Sequence, residues 1–178
     1  WSIIFNMDNK GFSITELLVV FAIISILSGG MVLYNRAAER QIILFKEQIK
    51  IFSAIQKAKS LALGTFSAEQ APCGYGVHFS ESNFIIIFKE ISPSNNSGCL
   101  DTDSVYTSSD EIFEEIKLDK VVKFSELGLS NIVFIPPDPT VIIDNNVFKD
   151  EALIKIKTSD NKGEKIIKVT NAGQITAQ

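Results

Sequence analysis

Histidine and cysteine are nearly absent from this chain. Among 178 residues there is one histidine, His78, and there are two cysteines, Cys73 and Cys99. A zinc site needs more such ligands at close spacing, so we expect no metal. P-loop and dinucleotide glycine patterns are missing, and no serine or cysteine lies in a nucleophile elbow. His78 alternates with apolar neighbours, which is typical of a strand histidine rather than a catalytic base. The sequence therefore predicts neither an enzyme nor a cofactor-binding protein.

Charge is missing from Leu17 to Tyr34, a run of eighteen residues. Such a run is about long enough to cross the hydrocarbon core of a bilayer as a helix. Glu16 stands at the rim of the run, where an unpaired carboxylate costs on the order of 2.5–3.5 kcal/mol, so we interpret it as functional and paired with a group outside this chain. A secretory signal cleaved near Ser28-Gly29-Gly30 and a plain uncleaved anchor are the competing interpretations, and neither needs Glu16.

The residues around Glu16 carry a specific resemblance. The segment Lys10-Gly11-Phe12-Ser13-Ile14-Thr15-Glu16-Leu17 resembles the class III signal of type IV pilins and type II secretion pseudopilins. The resemblance implies that a prepilin peptidase cuts between Gly11 and Phe12 and that Phe12 becomes the methylated N-terminus. It also implies that Glu16 neutralises the Phe12 amine of a neighbouring subunit and so sets the register of a filament.

The same resemblance divides the chain into four parts. Residues 1–11 form the prepilin leader, and we expect residues 1–6 to lie upstream of a true start at Met7. Residues 12–35 form the transmembrane and assembly helix, residues 36–64 continue it as an amphipathic helix, and residues 65–178 form a β-rich head. The predicted fold class is α+β, a long N-terminal helix packed on an antiparallel β-sheet domain.

Apolar residues recur at helical spacing beyond the membrane run. Spacings of three and four predict one stripe that packs on the head, formed by Ile42, Phe45, Ile49, Phe52, Ile55, Ala58 and Ala62. The pair Gly29-Gly30 costs up to ~2 kcal/mol of helix propensity, and we expect the helix to bend or melt there on assembly.

Alternation of apolar and polar residues after Gly64 indicates strands. Two hairpins stand out: one joins Tyr75–Phe79 to Asn83–Phe88, and one joins Ala152–Lys157 to Glu164–Val169. Further strands are predicted at Glu111–Leu118, Val121–Phe124, Asn131–Ile135 and Thr140–Ile143, and an exposed loop at Ile91–Asp110. This order resembles the minor pilins and pseudopilins typified by GspH and FimT.

Charge is distributed unevenly, and the orientation signals conflict. Between Arg36 and Gly64 there are six basic and two acidic residues, whereas from Thr65 onward ten lysines face seventeen acids. Two basic residues, Arg36 and Arg40, follow the apolar run, and one, Lys10, precedes it. The positive-inside rule alone would therefore place the C-terminal domain in the cytoplasm. The leader implies the opposite, and an exported domain would be expected to join Cys73 and Cys99 as a disulfide.

These observations predict a structural subunit, a minor pilin or pseudopilin of a type IV pilus or type II secretion filament. Its predicted location is the cytoplasmic membrane, with a single pass and the C-terminal domain outside, and then the filament. Predicted partners are the prepilin peptidase, other pilins, a membrane assembly platform and the lipid bilayer. The alternatives are a DNA-uptake minor pilin and a membrane-tethered adhesin. Nucleic acid is not an expected partner, because Val169–Gln178 carries no charge.

The lysines at 155, 157, 165 and 168 are expected on one solvated face of the last hairpin. Whether the head binds calcium through residues 101–104 stays open.

Overall fold

A computed structural model describes residues 13–65, 72–92, 99, 102–108, 110–126, 128–137 and 140–178. The chain forms two compact units, Trp1–Glu39 and Arg40–Gln178, which we call unit 1 and unit 2. Helix α1 spans Ile14–Thr65 and contributes to both units. It is continuous through Gly29 and Gly30. Bending or melting at the glycine pair on assembly stays a prediction.

Helix α1 begins with a recognisable capping sequence. The carbonyl oxygen of Ser13 accepts the first helical hydrogen bond, from Leu17 N at 3.1 Å. Ser13 therefore occupies the N-cap position, and its hydroxyl is hydrogen-bonded to that of Thr15 at 2.8 Å. Glu16 lies three residues after the cap, in the first turn, where a carboxylate complements the helix dipole.

Within the described residues nine strands follow the helix, and all of them pair antiparallel. Their bounds are β1 Gly74–Ser80, β2 Phe84–Glu90, β3 Glu111–Lys117, β4 Val122–Glu126, β5 Asn131–Ile135, β6 Thr140–Ile143, β7 Glu151–Thr158, β8 Glu164–Thr170 and β9 Ile175–Ala177. Sheet A has the order β3-β2-β1-β5-β6, and sheet B has the order β4-β7-β8-β9. The predicted α+β class is therefore confirmed.

The core of unit 2 lies between α1 and the two sheets. Apolar side chains from one face of α1, from sheet A and from sheet B form a single buried cluster. Phe79 of β1 and Phe124 of β4 meet edge to face, with ring centroids 6.0 Å apart, and so connect the two sheets. Alternate residues of β7 are buried, which is the pattern that the sequence shows in this strand.

Candidate assembly site

Among the residues that the structure describes, none packs against the membrane-length part of α1. The window Ile14–Met31 is long and apolar enough, by length and composition, to cross a membrane, and none of it is buried. Leaving so large an apolar surface in water would be costly, at about 25 cal/mol for each Å². This surface is therefore built to contact lipid or the helices of other proteins.

Glu16 is the one carboxylate of this window. Its position three residues after the Ser13 cap gives it a local role at the helix N-terminus. Within the described residues no basic group forms an ion pair with Glu16. The side chain is exposed, so a group from outside the described chain can reach it. Gly11 and Phe12, the residues predicted for cleavage and methylation, lie outside the described residues.

The predicted packing stripe of α1 is wrong in its first half. Ile42, Phe45 and Ile49 are 68%, 55% and 49% exposed, so they do not pack on the sheets. The buried face contains Leu44, Ile51, Ala54, Ile55, Ala58 and Ala62, together with the polar residues Glu47 and Gln48. The segment thus has two apolar faces, one covered by the sheets and one open. The signal that could have shown this is the second i, i+7, i+11 series that begins at Leu44.

Polar groups on the buried face of α1 are hydrogen-bonded to the sheets. Gln48 Nε2 donates to the carbonyl oxygens of Ile166 at 3.2 Å and Gln178 at 2.9 Å. Lys59 Nζ donates to Gly173 O at 2.9 Å. These contacts attach the helix to sheet B and to the chain terminus, and they satisfy groups that would otherwise be buried without partners.

The predicted disulfide is present, and it holds the segment around Cys99 against sheet A. Cys73 and Cys99 are bonded across a sequence separation of 26. Tyr106 lies over His78 and Phe88, with ring centroids 5.0 and 5.3 Å apart. The described part of Ile91–Asp110 is therefore not simply an exposed loop, since Tyr106 covers His78 and Phe88 on the second face of sheet A.

His78 has a structural environment. Its Nδ1 lies 2.9 Å from Asn131 Oδ1, which also accepts a hydrogen bond from Tyr106 N at 3.2 Å. The histidine therefore belongs to a side-chain network between β1, β5 and the covering segment, as a strand residue with a satisfied partner. Among the described residues, no group of three or more histidine, cysteine or acidic side chains is arranged to hold a metal ion. Asp101, part of the proposed calcium segment, lies outside them.

Of the four lysines predicted on one face of the last hairpin, Lys155, Lys157 and Lys168 share the outer face and Lys165 does not. Lys157 is opposite Glu164 and Lys168 is opposite Leu153, all on the outer face of sheet B. Lys165 is opposite Ile156, whose side chain is fully buried, so Lys165 belongs to the core face. Lys168 is also paired with Glu151. The expected four-lysine face is therefore wrong, because residues that pair directly across two strands point to the same side.

Comparison with known proteins identifies one segment of the chain. Residues 6–32 match the family model described as the prokaryotic N-terminal methylation motif. No characterised protein and no solved structure matches the chain. The match contains the exposed apolar helix and Glu16, and the β domain follows it in an α+β, pilin-like arrangement. This motif, carried at the start of a long helix ahead of an antiparallel β domain, makes the chain consistent with the type IV pilin-like family.

Proposed function

We propose that this protein is a structural subunit, a minor pilin or pseudopilin, of a type IV pilus or type II secretion filament. The observation that carries the proposal is the fully exposed apolar helix Ile14–Met31, which follows a methylation motif and holds one carboxylate in its first turn. A prepilin peptidase would cut after Gly11 and methylate Phe12. A membrane assembly platform would then recruit the processed subunit to other pilins.

Glu16 supports assembly through an energetic argument. A carboxylate in lipid is unfavourable, whereas a carboxylate that meets the N-terminal ammonium of a neighbouring subunit is compensated. The pairing distance is fixed along the helix, so the pair selects one axial register between neighbours. The first-turn position of Glu16 is compatible with this role, because the interaction of its carboxylate with the helix dipole is local and contributes only about 0.3–1 kcal/mol.

The open apolar face of α1 gives independent support. Ile42, Phe45 and Ile49 lie in unit 2, outside the membrane-length window, and remain exposed. Neighbouring subunits in the filament would cover these three residues, and this would explain their apolar character without contact to lipid. A contiguous exposed apolar face of this kind marks a protein–protein contact.

The disulfide supports export of the head. Disulfides persist in oxidising compartments and are rare in the cytosol. With Cys73 and Cys99 joined, the C-terminal domain is best placed outside the cytoplasm, with a single pass through the cytoplasmic membrane. The positive-inside rule, applied to Arg36 and Arg40, would place the domain in the cytoplasm. The prepilin-type leader implies the opposite orientation, and our assignment agrees with the leader.

The proposal is tested by replacing Glu16 with alanine or glutamine. We expect normal membrane levels and normal processing, because removing a costly charge does not harm the inserted monomer. Recovery in sheared filaments, or in pull-downs with other pilins, should fall strongly, because the neighbour's ammonium is left unpaired at a cost of about 3–5 kcal/mol.

The matched control is Glu39→Gln, which removes an exposed carboxylate from the same helix outside the apolar window. It should assemble like wild type. If Glu16→Ala assembles as well as Glu39→Gln, Glu16 is not the register element. The membrane-tethered adhesin that never polymerises would then be the better account.

A further inference from the structure

Residues 102–108 lie on the second face of sheet A and belong to no strand in the described structure. We call this segment the strap. The ring of Tyr106 packs over His78 and Phe88, and Tyr106 N donates a hydrogen bond to Asn131 Oδ1 at 3.2 Å. A segment outside the strand ladders, with few hydrogen bonds to the rest of a domain, can open while the domain stays folded.

Ser104 is the second attachment of the strap, and it depends on Glu90. Ser104 is buried, and its φ of 53° lies in the left-handed region, which residues other than glycine adopt infrequently. Its N–H donates to Glu90 Oε1 at 3.3 Å. The other oxygen of Glu90, Oε2, is buried and has no hydrogen-bond partner among the described residues. A buried carboxyl with an unsatisfied oxygen is more favourable with a proton than as an anion.

The charges nearest to Glu90 have the same sign as its carboxylate. Asp103 belongs to the strap, and Asp110 precedes β3. Burial, followed by the charge of Asp110 and then that of Asp103, raises the pKa of Glu90 from 4.5 to about 7. The closed strap therefore favours the protonated carboxyl.

The other elements that pack around Glu90 do not offset these acids. In β1 the residue opposite Glu90 is Gly74, which has no side chain. Lys89, the preceding residue of β2, points to the other face of the sheet and pairs with Glu111. His78 lies beneath the strap and is also titratable, so a test has to separate it from Glu90.

We propose that the strap responds to pH: it lies closed on sheet A while Glu90 is protonated, and it opens, with the rest of unit 2 still folded, as Glu90 ionises. Opening separates Ser104 from Glu90 and gives both carboxylate oxygens access to water. It also uncovers His78 and Phe88, which is fully buried under the closed strap. The disulfide at Cys99 tethers the N-terminal side of the strap, so opening stays local. Every contact involved lies within unit 2, so the response does not depend on filament assembly.

The test is millisecond hydrogen exchange of the disulfide-bonded full chain in detergent, read by peptide mass spectrometry and corrected for the intrinsic exchange rate at each pH. The protection factors of amides 104–106 should fall about thirtyfold from pH 5.5 to pH 8.5. This factor follows from a carboxyl pKa of about 7 in the closed form and 4.5 in the open form.

Urea distinguishes local opening of the strap from unfolding of unit 2. Low urea concentrations should leave exchange at amides 104–106 unchanged, because local opening exposes little surface. Exchange of the β5 amides should increase with urea, because they open through global unfolding. Equal protection and equal urea dependence of the strap and β5 would overturn the proposal, since the strap would then open only with the whole unit.

Three variants assign the response to a residue. Glu90→Gln should give strap protection that no longer changes with pH, whereas His78→Gln should keep the thirtyfold change. The reverse result would overturn the proposal in favour of His78. Asp110→Asn provides a second test if Glu90→Gln does not fold. It removes a negative charge that raises the pKa of Glu90, so the change in protection should be smaller than in wild type. An undiminished change would contradict the proposal.

Discussion

Replacing Glu90 with glutamine should change how the stability of unit 2 depends on pH. Glu90 ends β2, and its side chain is 2% exposed. Its Oε1 accepts a hydrogen bond from Ser104 N at 3.3 Å, while Oε2 is buried without a hydrogen-bond partner in the described structure. Burial, followed by the charge of Asp110 and then that of Asp103, raises the pKa of Glu90 from 4.5 to about 7.

The magnitude follows from proton linkage. One pKa unit corresponds to about 1.4 kcal/mol, so ionising Glu90 in the folded protein costs about 3 kcal/mol more than in the unfolded chain. Below pH 4.5 the carboxyl is protonated in both states, and this cost is absent. As the pH rises from 4.5 to 7, the unfolded chain releases the proton while the folded protein keeps it. The free energy of unfolding therefore falls over this range and reaches its full loss above pH 7.

The assay is urea unfolding of the disulfide-bonded full chain in detergent between pH 4 and pH 8.5. The difference in unfolding free energy between Glu90→Gln and wild type should grow by about 3 kcal/mol in favour of the variant from acid to alkaline pH. The buried amide of glutamine also changes the unfolding free energy by an amount that does not depend on pH. The readout is therefore the change with pH of the difference between variant and wild type. Glu115→Gln, at an exposed position of β3, is the control. Parallel pH profiles for Glu90→Gln and wild type would refute the reasoning.

Three further predictions concern packing, the disulfide and processing. A Cβ added at Gly76 would lie 2.2 Å from the Phe88 ring, so Gly76→Ala should lower the free energy of unfolding by about 1–3 kcal/mol, and by less in a Phe88→Leu background, as urea unfolding can show. Replacing Cys73 and Cys99 with serine should cost about 3.5 kcal/mol in the same assay, whereas an unchanged midpoint would show that the bridge does not restrain the unfolded chain. Co-expression with a prepilin peptidase should leave methylated Phe12 by intact mass, a bulky residue at Gly11 should block the cut, and cleavage near Gly30 would contradict the pilin interpretation.

Strand positions could be predicted closely because their signals are local. The hairpin of β7 and β8 alternates apolar residues with lysine around Asp160-Asn161-Lys162-Gly163, and the structure places both strands within a residue or two of the expected bounds. Pro136 and Pro137 similarly separate β5 from β6. Turn residues and the alternation of apolar and polar side chains are signals that span only a few residues. These strands can therefore be predicted without knowledge of tertiary contacts.

Which face of each element is buried depends on packing between residues far apart in sequence, and the sequence alone did not predict it. Helix α1 has apolar residues on two sides after Arg40, and only the arrival of the sheets decides which side is covered. The covered side is the one that includes Glu47 and Gln48, two polar residues that a hydrophobic-face argument rejects. Glu47 is acceptable there because Lys50, one turn along the helix, neutralises it and Asp119 N donates to it. Gln48 is acceptable because it donates to the carbonyl of Gln178, far away in sequence.

The exposed face carries the functional consequence of that choice. Covering Leu44 and Ile51 with the sheets leaves Ile42, Phe45 and Ile49 open. The window Ile14–Met31, earlier in the same helix, is also uncovered among the described residues. In a monomeric protein in water, polar residues would be more favourable at these exposed positions. A large apolar side chain contributes roughly 1.5–3 kcal/mol only when it is buried. Their retention is accounted for if another molecule buries them. The polar residues on the covered face and the apolar residues on the open face thus support the same conclusion, a subunit whose helix is completed by its neighbours.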